Sequence, residues 1–341
     1  MQLSEILIDK IRRDYKDDVS IVHVHGSYAY NDTHDLSDLD IYFVPKTRRG
    51  FDLGCTFILD GIGCDFWALS WERLERIASH GERTASIVTE GKVLYYASNE
   101  DLVRFETLKE RALDTSNRDK WHGRARKALN EAYKDGFLLQ NAETLSGVHT
   151  HAIGLIYSLS FVIAQLNQTT IKRGRKLLKQ EILAMPLVPD NFGTLYDTLF
   201  SSHDIQAVQN SCALLLQNTE KLLSEAMTKP PAPFAETFGG WYEEMIQSYN
   251  KIYHACEVGD IYTPLFASVE FSYGLERMLG RVGVFPELPD MVAAFDNENL
   301  EGIVTVAHAH QAAFESLLRE NGLQPLTFST LEEVRQFIDG K

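Results

Sequence analysis

Ile21-Val-His-Val-His-Gly-Ser-Tyr-Ala-Tyr-Asn-Asp-Thr-His-Asp-Leu-Ser-Asp-Leu-Asp-Ile-Tyr-Phe-Val44 is the stretch on which the reading of this chain turns. Its end places two aspartates, Asp38 and Asp40, on alternate positions of an apolar run. Residues two apart on a strand share a face, so both carboxylates are expected to point at one spot. Two anions side by side repel unless a cation lies between them. The pattern therefore asks for a divalent metal held by Asp38 and Asp40.

The beginning of the stretch supplies a second element. Ile21 to His25 reads as a short strand rich in β-branched residues, interrupted by Gly26-Ser27. Glycine allows a tight turn and a close approach of an anion. Exposed N–H groups there, with the Ser27 hydroxyl, form a phosphate cradle. A cradle beside paired carboxylates fits a magnesium-bound nucleotide, because Mg²⁺ takes one or two carboxylates plus phosphate oxygens. A third acid, Asp65, sits inside the apolar run Cys64-Asp-Phe-Trp-Ala-Leu69. An aspartate in such a strand is costly unless paired or metal-bound. If that strand neighbours the first, Asp38, Asp40 and Asp65 form one cluster able to serve a two-metal displacement.

His25-Gly-Ser27 followed by Ser37-Asp-Leu-Asp40 resembles the hG[GS]…Dh[DE]h signature of the nucleotidyltransferase superfamily, the polymerase-β-like fold. With Asp65 on a later strand, the first third of the chain resembles the aminoglycoside and lincosamide adenylyltransferases. That resemblance implies an α+β fold, with a small mixed-sheet domain followed by helical bundles. It implies transfer of AMP from ATP to a hydroxyl of a small molecule, with release of pyrophosphate and use of two Mg²⁺ ions. Asp38 and Asp40 would bind both ions, Asp65 would share one and take the hydroxyl proton, and Gly26 and Ser27 would hold the phosphates. Such enzymes also supply a lysine from the helical region to the triphosphate. Arg175 and Lys176, within Lys172-Arg-Gly-Arg-Lys176, resemble that position. Homodimerisation is in keeping with the family, whose sites can cross a subunit boundary. Two alternatives belong to the same fold: an antitoxin-like regulator that adenylylates a protein, and a non-catalytic nucleotide-binding member.

Charge narrows the partners. The 341 residues hold 33 basic and 48 acidic side chains, a net charge of -15. A nonspecific nucleic-acid binder needs a basic surface, so nucleic acid is not the expected partner. An acidic cleft suits a small hydroxylated, cationic acceptor of the aminoglycoside type. Cys55, Cys64, Cys212 and Cys256 are scattered and read as buried free thiols in a reducing cytoplasm. The N-terminus lacks a signal-peptide core. The apolar run from Ala152 to Leu166 is short for a membrane span and carries Ser158, Ser160 and Gln165, so no membrane association is expected.

Periodicity divides the chain into a catalytic domain over residues 1–114, a helical domain over 115–229 and a C-terminal helical region over 230–341 that completes the acceptor site. In the first, a helix over Ser4–Tyr15 precedes strands at Ile21–His25 and Asp40–Val44. A hairpin of Phe57–Leu59 and Cys64–Leu69 turns at Asp60-Gly-Ile-Gly63, a helix starts at Ser70, and Lys92–Tyr96 is the last strand. Helical spacing then covers Arg124–Leu139, Leu145–Gln168, Lys176–Met185 and Asp204–Met227. After the stiff Pro230-Pro-Ala-Pro233 it resumes over Trp241–Glu257, Pro264–Leu279, Glu301–Glu320 and Leu331–Ile338. Trp241, Tyr242, Tyr249 and Tyr253 crowd one helix, with core packing and cation–π acceptor binding as the competing readings. His23, His25, His34, His149 and His151 lack a ligand set and read as turn or packing residues.

Overall fold

The structure is a computed structural model that describes residues 2–30, 33–34 and 37–341. It divides into two compact units, Met1–Thr228 and Lys229–Lys341. The first opens with α1 (Gln2–Lys10), which continues as a π-helical turn over Ile11–Tyr15. Then come β1 (Val19–Val24), a 3₁₀ turn over Gly26–Tyr30, β2 (Leu39–Pro45), a second 3₁₀ turn over Arg49–Leu53, β3 (Cys55–Leu59) and β4 (Ile62–Ala68). Short helices α2 (Trp71–Ala78) and α3 (Ser86–Thr89) precede β5 (Lys92–Tyr96). The strands form one mixed sheet in the order β3-β4-β2-β1-β5. All neighbours are antiparallel except β2 and β4, which run parallel.

Each face of the sheet has its own cover, and strand alternation explains why. Val19, Val22, Leu39, Ile41, Phe43 and Phe66 pack with Leu7 of α1 and Ile11 of the π-helical turn. Ile21, Tyr42 and Val44 pack on the other side with Leu74 and Ile77 of α2 and Val88 of α3. The same cluster takes Phe105, Leu108 and Ala112 from α4 (Asn99–Leu113). Helical periodicity in the sequence does not single this helix out. Its apolar residues are diluted by charge, and its clearest signal is the cap: the Ser98 hydroxyl accepts from the Asp101 N–H at 3.2 Å. The hairpin turn is also tighter than expected. Asp60 and Gly61 both take positive φ, 49° and 80°, so Leu59 pairs directly with Ile62. Asp-Gly favours that two-residue turn because its backbone twist matches the flanking strands.

The rest of the first unit is helical: α5 (Arg118–Gln140), α6 (Leu145–Leu166), α7 (Arg175–Leu183), α8 (Phe192–Ser201) and α9 (Ile205–Met227). α8 is a further helix missing from the sequence reading. α6 has 22 residues, and by length and apolar composition it could cross a membrane, against the shorter run expected. It is instead the centre of this bundle: Leu155, Leu159, Val162 and Ile163 are fully buried against α5 and α9, and Ser158 and Gln165 are buried with them. Gln165 Nε2 donates to His80 Nδ1 at 3.2 Å, which leaves His80 Nε2–H to donate to the Ala112 carbonyl at 2.8 Å. Burial holds His80 below its ordinary pKa, in keeping with that neutral tautomer. This buried pair of hydrogen bonds fastens α6 to the sheet's helical cover.

The second unit contains α10 (Phe234–Phe238), α11 (Trp241–Val258), α12 (Thr263–Val282), α13 (Leu300–Glu320) and α14 (Leu331–Asp339). Its core is aromatic: Trp241 packs on Phe238, Phe271 and Phe314 at 5.5–5.6 Å between ring centres. Tyr242 and Tyr249 are buried in the same cluster. Tyr249 shares a 2.7 Å hydrogen bond with His310 Nδ1, and Tyr242 donates to Glu315. The aromatic crowding on α11 is thus core packing in the main. All four cysteines are free, as expected, although Cys55 is exposed and Cys256 half-buried rather than buried.

Candidate functional site

Parallel pairing of β2 with β4 sets the site. Asp40 and Asp65 are register partners, so their side chains leave the same face of adjacent strands. Thr56 faces Asp65 from β3, and its hydroxyl donates to Asp65 Oδ1 at 3.1 Å. Asp38 stands just before β2, exposed. On the other flank the His25 N–H donates to the Asp40 carbonyl at 3.1 Å, and the chain then turns at Gly26, where φ is +70°. A Cβ on Gly26 would lie 2.2 Å from Asp40 Oδ2, so only glycine lets the turn close over that carboxylate.

A cleft of about 600 Å³ opens here, lined by Ser27, His34, Ser37, Asp38, Asp40, Thr56, Asp65 and Arg175 among others. Ser27 and all three acids line it, and Gly26 lies behind them against Asp40. Four spacer residues, 31, 32, 35 and 36, lie outside the described residues. Burial pushes the Asp40 carboxyl up to about 6, helped by the charges of Asp38 and Asp65 and opposed by Arg175. Ser27 Oγ is buried with no hydrogen-bond partner among the described residues. His25 is driven down to about 4 by burial, against the attraction of Asp38, and its ring packs on Tyr42 and Trp67. It is a neutral packing residue beside the Gly26 turn.

Arg175 reaches the cleft because the loop before α7 is tied to the sheet region. Lys172 Nζ pairs with Glu90 at 2.9 Å, and the Arg173 guanidinium lies 4.5 Å from the centre of the Tyr30 ring. Gly174 and Arg175 then take positive φ, 50° and 39°. For a non-glycine residue such a conformation costs about 1–3 kcal/mol and is found where the surroundings enforce it. Lys176 diverges: it lines a second cavity with Tyr157, Tyr196 and Phe200, to which Arg175 also belongs. Neighbouring residues on a helix point about 100° apart, so a basic pair at its start is divided between two places.

The donor set suits a hard divalent cation, which prefers carboxylate oxygens. Among the described residues no three His, Cys, Asp or Glu side chains converge on one point, so the acids line an open cleft rather than a closed cage. Mg²⁺ needs no more, since phosphate oxygens and water fill its other positions. The raised Asp40 carboxyl and the Ser27 hydroxyl, without a partner among the described residues, are where a cation and an anionic group would relieve a cost. Thr56 was not foreseen; its pairing with Asp65 follows from the length of the hairpin turn.

Residues 103–229 match the family model of the KNTase C-terminal domain. This stretch, α4 to α9, lies outside the motif read above, and its match supports the nucleotidyltransferase superfamily for that part of the chain. No curated protein matches the chain. A solved structure of a nucleotidyltransferase-like protein from Exiguobacterium sibiricum is similar at 13% identity, over 72% of this chain and 80% of that one, with a TM-score of 0.38. That likeness is too remote to bear on the arrangement here.

Proposed function

We propose that this chain is a divalent-metal-dependent nucleotidyltransferase that moves AMP from ATP to a hydroxyl of a small molecule. The observation that carries the reading is the pairing of Asp40 with Asp65, beside Asp38 and under the Gly26-Ser27 turn. Asp38, Asp40 and Asp65 would hold the metal. Bound there, Mg²⁺ supplies charge neutralisation for the triphosphate and acidifies the acceptor hydroxyl.

The chain's own residues supply the rest. Ser27 Oγ and the N–H groups of its turn donate to phosphate oxygens, satisfying a hydroxyl that otherwise lacks a partner. Arg175 faces the anionic pyrophosphate as it departs. Asp65, with Oδ1 engaged by Thr56, accepts the acceptor-hydroxyl proton on Oδ2. The acceptor oxygen forms a bond to the α-phosphorus as the bond to the bridging α–β oxygen breaks. Pyrophosphate carries away that electron pair.

A pyrophosphate-release screen over hydroxylated acceptors, with ATP and GTP compared, tests the reading. Release that needs Mg²⁺ and vanishes in Asp40→Asn is the expected result. Release undiminished in that variant sinks it, and label from ATP appearing on a protein acceptor favours a protein-modifying regulator instead. A cytoplasmic location belongs with this reading, since ATP and reduced thiols are both found there.

A further inference from the structure

We propose that the second cavity is the acceptor's pocket, and that it takes a hydroxylated aromatic or alicyclic molecule bearing an anionic group rather than a polycation. This rests on the nucleotidyl-transfer reading and names the substrate class for it. The cavity holds about 390 Å³, enough for a small molecule. Ile153, Ile156 and Leu178 provide aliphatic walls, and Tyr157, Tyr196 and Phe200 provide rings. Phe200 is 56% exposed and Tyr157 42%, apolar surface left in water at the mouth of a cavity. Arg175 lines both this cavity and the carboxylate cleft, so an occupant lies next to the phosphates and its hydroxyl can enter the cleft.

The charges select its sign. Among the described residues no carboxylate lines the cavity, and its two cations, Arg175 and Lys176, are exposed. Two nearby lysines are neutralised: Lys172 by Glu90 at 2.9 Å and Lys179 by Asp197 at 2.6 Å. Among the described residues neither Arg175 nor Lys176 has a carboxylate within ion-pair distance. A polycation is repelled by such a rim, whereas one anionic group pairs with Lys176 while the rings pack on the acceptor's apolar body. A nucleobase carries no charge to offer Lys176, and the triphosphate is met in the other cleft by Ser27 and Arg175. That assigns the pocket to the acceptor.

The test uses the full-length protein and 8-anilinonaphthalene-1-sulfonate, an aromatic anion, followed by fluorescence. Saturable binding is expected, with Kd raised at least tenfold in Phe200→Ala and in Lys176→Glu, both at exposed positions. It should persist in Asp40→Asn, so loss of nucleotidyl transfer and loss of the pocket are read separately. Displacement by Mg²⁺ with a non-hydrolysable ATP analogue would make this the nucleobase site and overturn the proposal. So would displacement by spermidine, or an affinity unchanged in both variants. In the pyrophosphate assay, hydroxylated aromatic acids should serve as acceptors with KM raised tenfold in Phe200→Ala and the KM for ATP unchanged. Turnover with aminoglycosides alone, or a dimer that dissociates in Phe200→Ala, would overturn it.

Discussion

The Gly26 turn passes close to the Asp40 carboxylate: an ideal Cβ on Gly26 would stand 2.2 Å from Oδ2. The cradle and the acid are therefore one object. Moving either displaces the other.

Gly26→Ala should accordingly damage activity more than stability. Its φ of +70° costs an L-residue about 1–2 kcal/mol, and the new methyl must push Asp40 aside. Nucleotide turnover is expected to fall about a hundredfold, a barrier increase of about 2.7 kcal/mol. Steady-state kinetics beside a urea melt checks this, and a variant with near-normal turnover contradicts the close packing.

Asp40→Asn removes the metal-facing charge with little change of shape. Turnover should drop at least about a thousandfold, or roughly 4 kcal/mol, while the circular dichroism spectrum stays unchanged. Asp65→Asn should lower turnover by a similar factor if that carboxylate receives the hydroxyl proton.

The raised Asp40 carboxyl makes a stability prediction of definite sign. Its pKa moves from 3.8 to about 6, so the folded chain holds this proton more tightly than the unfolded one. The contribution is fully present below pH 3.8 and is lost as pH rises through about 6. Without divalent cations, Asp40→Asn should therefore melt no higher than the wild type near pH 4 and above it at pH 7–8. For an enclosed group the difference is roughly 3 kcal/mol; partial exposure of this one reduces it to about 1 kcal/mol. Added Mg²⁺ should erase the gap, and Mg²⁺ affinity should weaken as pH falls through about 6, because the proton competes for the same oxygens.

Arg175→Ala and Lys176→Ala should separate cleanly. The first is expected to raise the Kd for ATP about tenfold, the worth of one charge-assisted contact of roughly 1.4 kcal/mol. The second should leave it within about twofold. Isothermal titration with a non-hydrolysable analogue decides; equal losses in both would put the two cations on the triphosphate together.

Gln165→Leu should destabilise the first unit by about 1–3 kcal/mol, because it strands the buried Nδ1 of His80. A lower urea midpoint with an unchanged slope is the expected signature.

Much of this was legible in the amino-acid order because unusual residues stand where folding alone would not put them. Aspartates within apolar strands gave the acids away, and Gly-Ser before them gave the turn. What stayed hidden depends on partners distant in the chain. α4 carries its three core residues, Phe105, Leu108 and Ala112, among charges, so its face is defined only by the sheet it covers. The division of Arg175 from Lys176 follows from the start of α7, which a run of basic letters does not mark. Trp241, Tyr242 and Tyr249 look alike as ligands or as core, and only their packing against Phe238, Phe271 and Phe314 separates the two.

The two-residue turn between β3 and β4 carries a lasting constraint on how this fold can vary in length. Asp65 meets Asp40 only because β4 aligns with β2 residue for residue. An inserted or deleted residue that slipped this alignment by one would swing Asp65 to the opposite surface, away from Asp40. The hairpin thus acts as a ruler, and lengthening is tolerated elsewhere along the chain before it is tolerated there.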